Sequence, residues 1–120
     1  MSNPLGSADF FALEAGECLD RLEQLLGRPD GPPPDELLRY ARALRGSALM
    51  ANQPAIARAA AALAALARAL RAGTLTWGPA MREQLGQALD EFRQLVRRAR
   101  EWSSADATRA SRLSSTLYAR

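Results

Sequence analysis

Apolar positions recur along this chain with the 3.6-residue period of amphipathic helices, in four blocks separated by breaks rich in proline and glycine. In the first block Phe11, Ala15, Cys18, Leu22 and Leu25 alternate steps of four and three, and Leu19 and Leu26 widen the stripe. Ser7 is a good N-cap for this helix, Asp9 suits the positive end of its macrodipole, and Gly27 stops it. The stretch 28–34, Arg-Pro-Asp-Gly-Pro-Pro-Pro, cannot continue a helix and has the length of a link between antiparallel neighbours. A second helix is predicted from about Asp35 to Ala51. Asn52-Gln53-Pro54 restarts the chain, and Ile56, Ala60, Leu63, Ala67 and Leu70 mark the core side of a third helix ending at Gly73. Thr76-Trp77-Gly78-Pro79 opens a fourth, with Met81, Leu85, Ala88, Phe92, Leu95, Ala99 and Trp102 inward. The pattern predicts an all-α, antiparallel up-down-up-down four-helix bundle over residues 1–102. Residues 103–120 have a weaker period at Ala107, Ala110, Leu113 and Leu117, and read as a fifth C-terminal helix or a linker.

Composition sharpens this picture. The 120 residues suffice for one domain, and 25 Ala and 19 Leu stand against one Val, one Ile and four Thr, which argues against a sheet. All 16 basic residues are Arg, and His is absent, so the commonest general base, the commonest metal ligand and any phosphohistidine are missing. The lone Cys18 sits on the first helix's core stripe and reads as a small buried hydrophobe, with no base at hand to activate it or Ser47. Glu14, Glu17 and Glu23 lack the His partners and inward carboxylates from other helices that a di-metal bundle needs. No cofactor, no metal and no enzymatic reaction are therefore expected. The longest uncharged apolar run, Ala59–Ala67, is too short for a membrane span, no secretory leader is evident, and a soluble cytoplasmic protein is expected.

Charge is unevenly distributed. Residues 1–36 carry eight acids and two Arg, residues 37–82 seven Arg and no acid, and residues 83–120 seven Arg and five acids. A basic face, and hence an anionic partner, follows.

The second helix carries that face. On a helical wheel Leu37, Ala41, Ala48 and Ala51 cluster around Leu44, and Arg42 lies roughly 140° from the cluster's centre, towards solvent. Arg39, Arg45 and Gly46 surround it, and Leu38 and Leu49 are expected at its exposed flank. Arg and Leu mixed beside a glycine that bares the backbone have the composition of a docking patch.

The run Arg42-Ala43-Leu44-Arg45-Gly46-Ser47-Ala48 resembles the signature of histidine-containing phosphotransfer (Hpt) domains, His-x-Leu-Lys-Gly-Ser-Ala, with Arg45 at the Lys position and Gly46 at the Gly. The phosphoacceptor His position holds Arg42. The similarity extends over residues 8–102: Phe10-Phe11-Ala12-Leu13-Glu14-Ala15, Leu19 and Leu22-Glu23 resemble the first helix of that family and of the phosphotransfer domain of chemotaxis kinases. Asn52 stands where the family often ends this helix with Gly, and Asn also tolerates the left-handed conformation.

The resemblance implies a four-helix bundle that presents a phosphorylatable side chain to a histidine kinase or a response-regulator receiver domain. Arg42 cannot perform that chemistry, because a guanidinium stays protonated and has no lone pair for phosphorus. The expectation is a pseudo-phosphotransfer module that docks its partner through Leu38, Arg39, Arg42, Arg45, Gly46 and Leu49, with Arg42 meeting the acidic, metal-binding pocket that receivers of such pathways carry. Two alternatives come from other classes. One is a homodimerising structural domain, self-associating through the third helix or through Leu113, Leu117 and Tyr118 of the tail. The other, less favoured, is nucleic-acid binding through Arg39, Arg42, Arg45, Arg58, Arg68 and Arg71, or through Arg93, Arg97, Arg98 and Arg100, which lacks exposed aromatics for stacking.

Overall fold

A computed structural model describes residues 7–118. It contains helices α1 (Ser7–Leu26), α2 (Pro34–Met50), α3 (Pro54–Ala72), α4 (Pro79–Arg97) and α5 (Ser104–Tyr118), with a 3₁₀ turn at Ala99–Glu101 and no strand among the described residues. The Met1–Gly6 and Ala119–Arg120 parts of the predicted segments 1–102 and 103–120 lie outside the described residues.

The boundaries follow the local chemistry of the sequence. Pro34, Pro54 and Pro79 each begin a helix at the position where a missing N–H costs nothing. α3 ends on Gly73 at φ 81°, and the turn after α2 passes through Asn52 at φ 58°, the left-handed backbone that Asn accepts more readily than most residues. Gly31 is also left-handed, at φ 84°, and a Cβ there would lie 2.5 Å from the Trp77 ring. This glycine lets the α1–α2 link close under Trp77. The Arg82 guanidinium stands over the same ring and donates to the Arg28 carbonyl at 2.9 Å, joining the link to the start of α4.

The expected core residues pack together: Phe11, Leu22, Leu44, Leu63, Phe92 and Leu95 are almost wholly buried, and Trp77 and Trp102 are partly buried against them. α1 packs on α2 and α4, and α2 on α3. The tail adopts the helical one of its two predicted forms, and α5 lies along α3 and against α4. Consecutive helices α3 and α4 barely meet as a result, because α5 fills the space between them with Ala110, Leu113 and Leu117, all buried. Leu113 and Leu117, considered as an element for exchange between copies, are thus covered within their own fold, whereas Tyr118 is exposed.

α5 is held at its start by a reciprocal cap. The Ser103 N–H and hydroxyl donate to the Asp106 carboxylate at 2.9 and 3.0 Å, and the Asp106 N–H returns a longer bond of 3.4 Å to the Ser103 hydroxyl. Arg98 Nε lies 3.3 Å from both carboxylate oxygens. Burial alone would raise the Asp106 pKa, but the Arg98 and Ser103 bonds outweigh it and hold the carboxyl below its ordinary value. Asp106 is the buried charge among the described residues, and its oxygens are satisfied.

Candidate docking surface

α2 turns its outer side to solvent between α1 and α3. Arg39, Arg42 and Arg45 are exposed along it and Gly46 is half-exposed, with open space where its Cβ would be. Leu49 is 51% exposed and Met50 90% exposed at the helix's C-terminal end. Five of the six expected docking residues therefore share one accessible ridge. Leu38 does not: it is 3% exposed and belongs to the core. The flank of α2 facing α1 carries Tyr40, Ala43 and Ser47, so Leu38, on the opposite flank, faces α3, the neighbour with which α2 shares its broadest contact. A single core direction drawn for an isolated helix misses the second neighbour.

The ridge is bipartite. Its N-terminal half is cationic and its C-terminal end apolar, and Arg42 and Leu49 lie on nearly the same line, about 10 Å apart along the axis at 1.5 Å per residue. Arg39 donates to the Tyr40 hydroxyl at 2.8 Å and lies 4.8 Å from that ring's centroid. This bond, followed by the tyrosine's electrostatic attraction, raises the Arg39 pKa further above its already high value. Arg42 and Arg45 have no hydrogen-bond or ion-pair partner among the described residues, and residues 37–82 contain no acid that could supply one from α2 or α3.

Beside the ridge, α1 and α2 border an open groove of about 420 Å³. Glu14, Glu17, Cys18 and Arg21 line its α1 side, and Tyr40, Ala43, Gly46, Ser47 and Met50 its α2 side. The Ser47 hydroxyl donates to the Glu14 carboxylate at 3.1 Å, tying the walls together and fixing the antiparallel register of the two helices. That register brings the N-terminal turns of α1 beside the C-terminal turns of α2. Phe10, on the groove side of α1, and Leu13, further round towards Asp20, are 52% and 56% exposed. Phe10, Leu13, Met50 and the groove were not singled out from the sequence. Their signal was present: three large apolar residues out of phase with their helices' core stripes.

Burial pushes the Cys18 thiol pKa up, and the Glu14 and Glu17 carboxylates push it further, opposite to the direction that activates a thiol. Among the described residues no three His, Cys, Asp or Glu side chains are placed to hold a metal ion, and no helix is long and apolar enough to cross a membrane. Much of the arginine considered for nucleic-acid binding is committed elsewhere: Arg71 pairs with Asp35, Arg93 with Asp20 and Glu23, Arg98 with Asp106 and Glu101, and Arg100 with Asp9.

Comparison with known proteins gives one result. The family model described as Hpt domain matches residues 8–101. No curated protein and no solved structure matches the chain.

Proposed function

This chain belongs to the Hpt domain family, whose members are phosphorelay signalling modules that interact with histidine kinases and response regulators, and from that premise we propose that it is a pseudo-Hpt module: it docks a receiver or kinase domain and accepts no phosphate. The observation that carries this reading is Arg42, exposed and unpartnered at the phosphoacceptor position of a sequence without histidine. The basic residue and the glycine that follow the acceptor in the family pattern persist as Arg45 and Gly46.

The proposed docking residues are Arg39, Arg42, Arg45, Gly46 and Leu49, joined by Phe10, Leu13 and Met50. Apolar anchors supply contact area, and cations beside them orient the partner and reject mismatched charge. An arginine differs here from the histidine it replaces: its fork gives bidentate bonds to carboxylates, and its charge is permanent.

The test is an NMR titration of the isotope-labelled chain with a panel of receiver domains from the same genome, repeated with Arg42→Glu. Shifts centred on Arg42, Arg45, Leu49 and Met50 that vanish in the variant are expected. Unchanged binding by Arg42→Glu would sink the reading. Concentration-dependent self-association without receiver binding would favour the homodimeric structural domain instead.

A further inference from the structure

The geometry points to a regulatory property of the same surface, resting on the docking reading above: Arg42 takes the place of a divalent cation in the partner's carboxylate cluster, so that the chain binds a receiver in its metal-free state and is displaced when the metal binds.

Arg42 reaches a partner with its charge uncompensated by its own chain. α2 has no acid after Glu36, and neither Glu14 nor Glu17, the acids of the neighbouring groove, makes an ion pair or hydrogen bond with Arg42. Arg45, one turn on and likewise unpaired, adds a second positive charge to the same side of the helix. The ligand such a pair fits is a cluster of carboxylates beside an apolar surface, since the exposed Leu49 and Met50 follow at the C-terminal end of the same helix.

A cluster of carboxylates close enough to repel one another needs a cation, and two kinds fit. A hard divalent ion takes the oxygens as direct ligands, whereas a guanidinium donates hydrogen bonds to the same oxygens. The two cannot share them. A metal-loaded cluster has also lost most of its negative charge and repels a second cation, while a metal-free cluster attracts one. A neutral imidazole at position 42 would not impose this exclusion; a fixed guanidinium does.

Isothermal titration of the chain with the same receiver panel tests this, in EDTA and in Mg²⁺ with ionic strength matched by NaCl. Simple competition raises the apparent Kd about tenfold when Mg²⁺ is held at ten times the receiver's own metal Kd. Reciprocally, the chain held at ten times its own Kd for the metal-free receiver raises the receiver's apparent Mg²⁺ Kd by the same factor. Arg42→Gln, an exposed substitution that leaves the fold intact, is expected to bind more weakly in EDTA and to lose the Mg²⁺ dependence. Equal wild-type affinity in both buffers overturns the exclusion and leaves docking standing, as does a Mg²⁺ dependence that survives in Arg42→Gln. Absence of binding to every receiver in both buffers overturns the docking reading itself.

Discussion

Arginine does two different jobs on opposite sides of α1. On the α4 side, Arg93 reaches across to Asp20 and Glu23, both at 2.8 Å. On the α2 side, Arg42 and Arg45 face outward with nothing opposite. The bonds to Glu23 and Asp20 raise the Arg93 pKa despite its partial burial, the mark of a cation whose surroundings are built for it. Where arginine serves the fold, this chain supplies carboxylates; Arg21, Arg58, Arg68, Arg97 and Arg112 are unpaired too, but Arg42 and Arg45 stand one turn apart on the ridge that ends in the exposed Leu49 and Met50. Cations left unneutralised in that setting are what the proposed docking requires.

The sharpest way to break this contrast is to restore the missing chemistry. On the pseudo-Hpt reading, wild type takes no phosphoryl group from a phosphorylated receiver and Arg42→His should take it detectably, as read by an acid-labile phosphate on the variant. If Arg42→His docks and still accepts nothing, the surface has lost more than its acceptor. Next in size is the division between core and ridge within α2. Leu38→Ala should lower unfolding free energy by about 3 kcal/mol, and Leu49→Ala by less than about 0.5 kcal/mol while weakening docking, measured by denaturant melts and titration. Third, Arg93→Ala should cost about 1 kcal/mol of stability and leave docking unchanged, the mirror image of Arg42→Glu.

The smallest effect is a slope. Because the folded-state pKa of Asp106 is depressed, its contribution to stability is fully present above the unfolded value near 3.9 and is lost as pH falls through the lower folded value. Acid unfolding of Asp106→Asn should therefore show a shallower loss in that range, and α5 should be the first helix released. An unchanged acid limb would mean that the cap of α5 is not the acid-sensitive joint.

The helices were legible because their signals are local. Prolines at three helix starts, glycine or asparagine after α1, α2 and α3 and the 3.6-residue period place α1 to α3 almost residue for residue, whereas α4 stops at Arg97, short of the Ala99 and Trp102 that its period included, and gives way to the 3₁₀ turn Ala99–Glu101. What was not legible depends on neighbours. The fate of Leu38 is decided by the side on which α3 lies, and the position of α5 by a space between α3 and α4 that no periodicity announces. The ridge itself could be read, since Arg39, Arg42, Arg45 and Leu49 are exposed as the wheel requires. The groove arises only when two helices align, and a single-helix wheel cannot contain it. Phe10 and Leu13 come into view as part of the surface only once Ser47 and Glu14 set the register of α1 against α2.

The position of α5 also bears on how the chain leaves the ribosome. α3 is alanine-rich and buried around most of its circumference, partly by α5, which is made after it. At synthesis rates of about 5–20 residues per second, α3 waits on the order of seconds for that cover, with part of its apolar side bare. That bare side is closed once α5, begun by the Ser103–Asp106 cap, packs along α3.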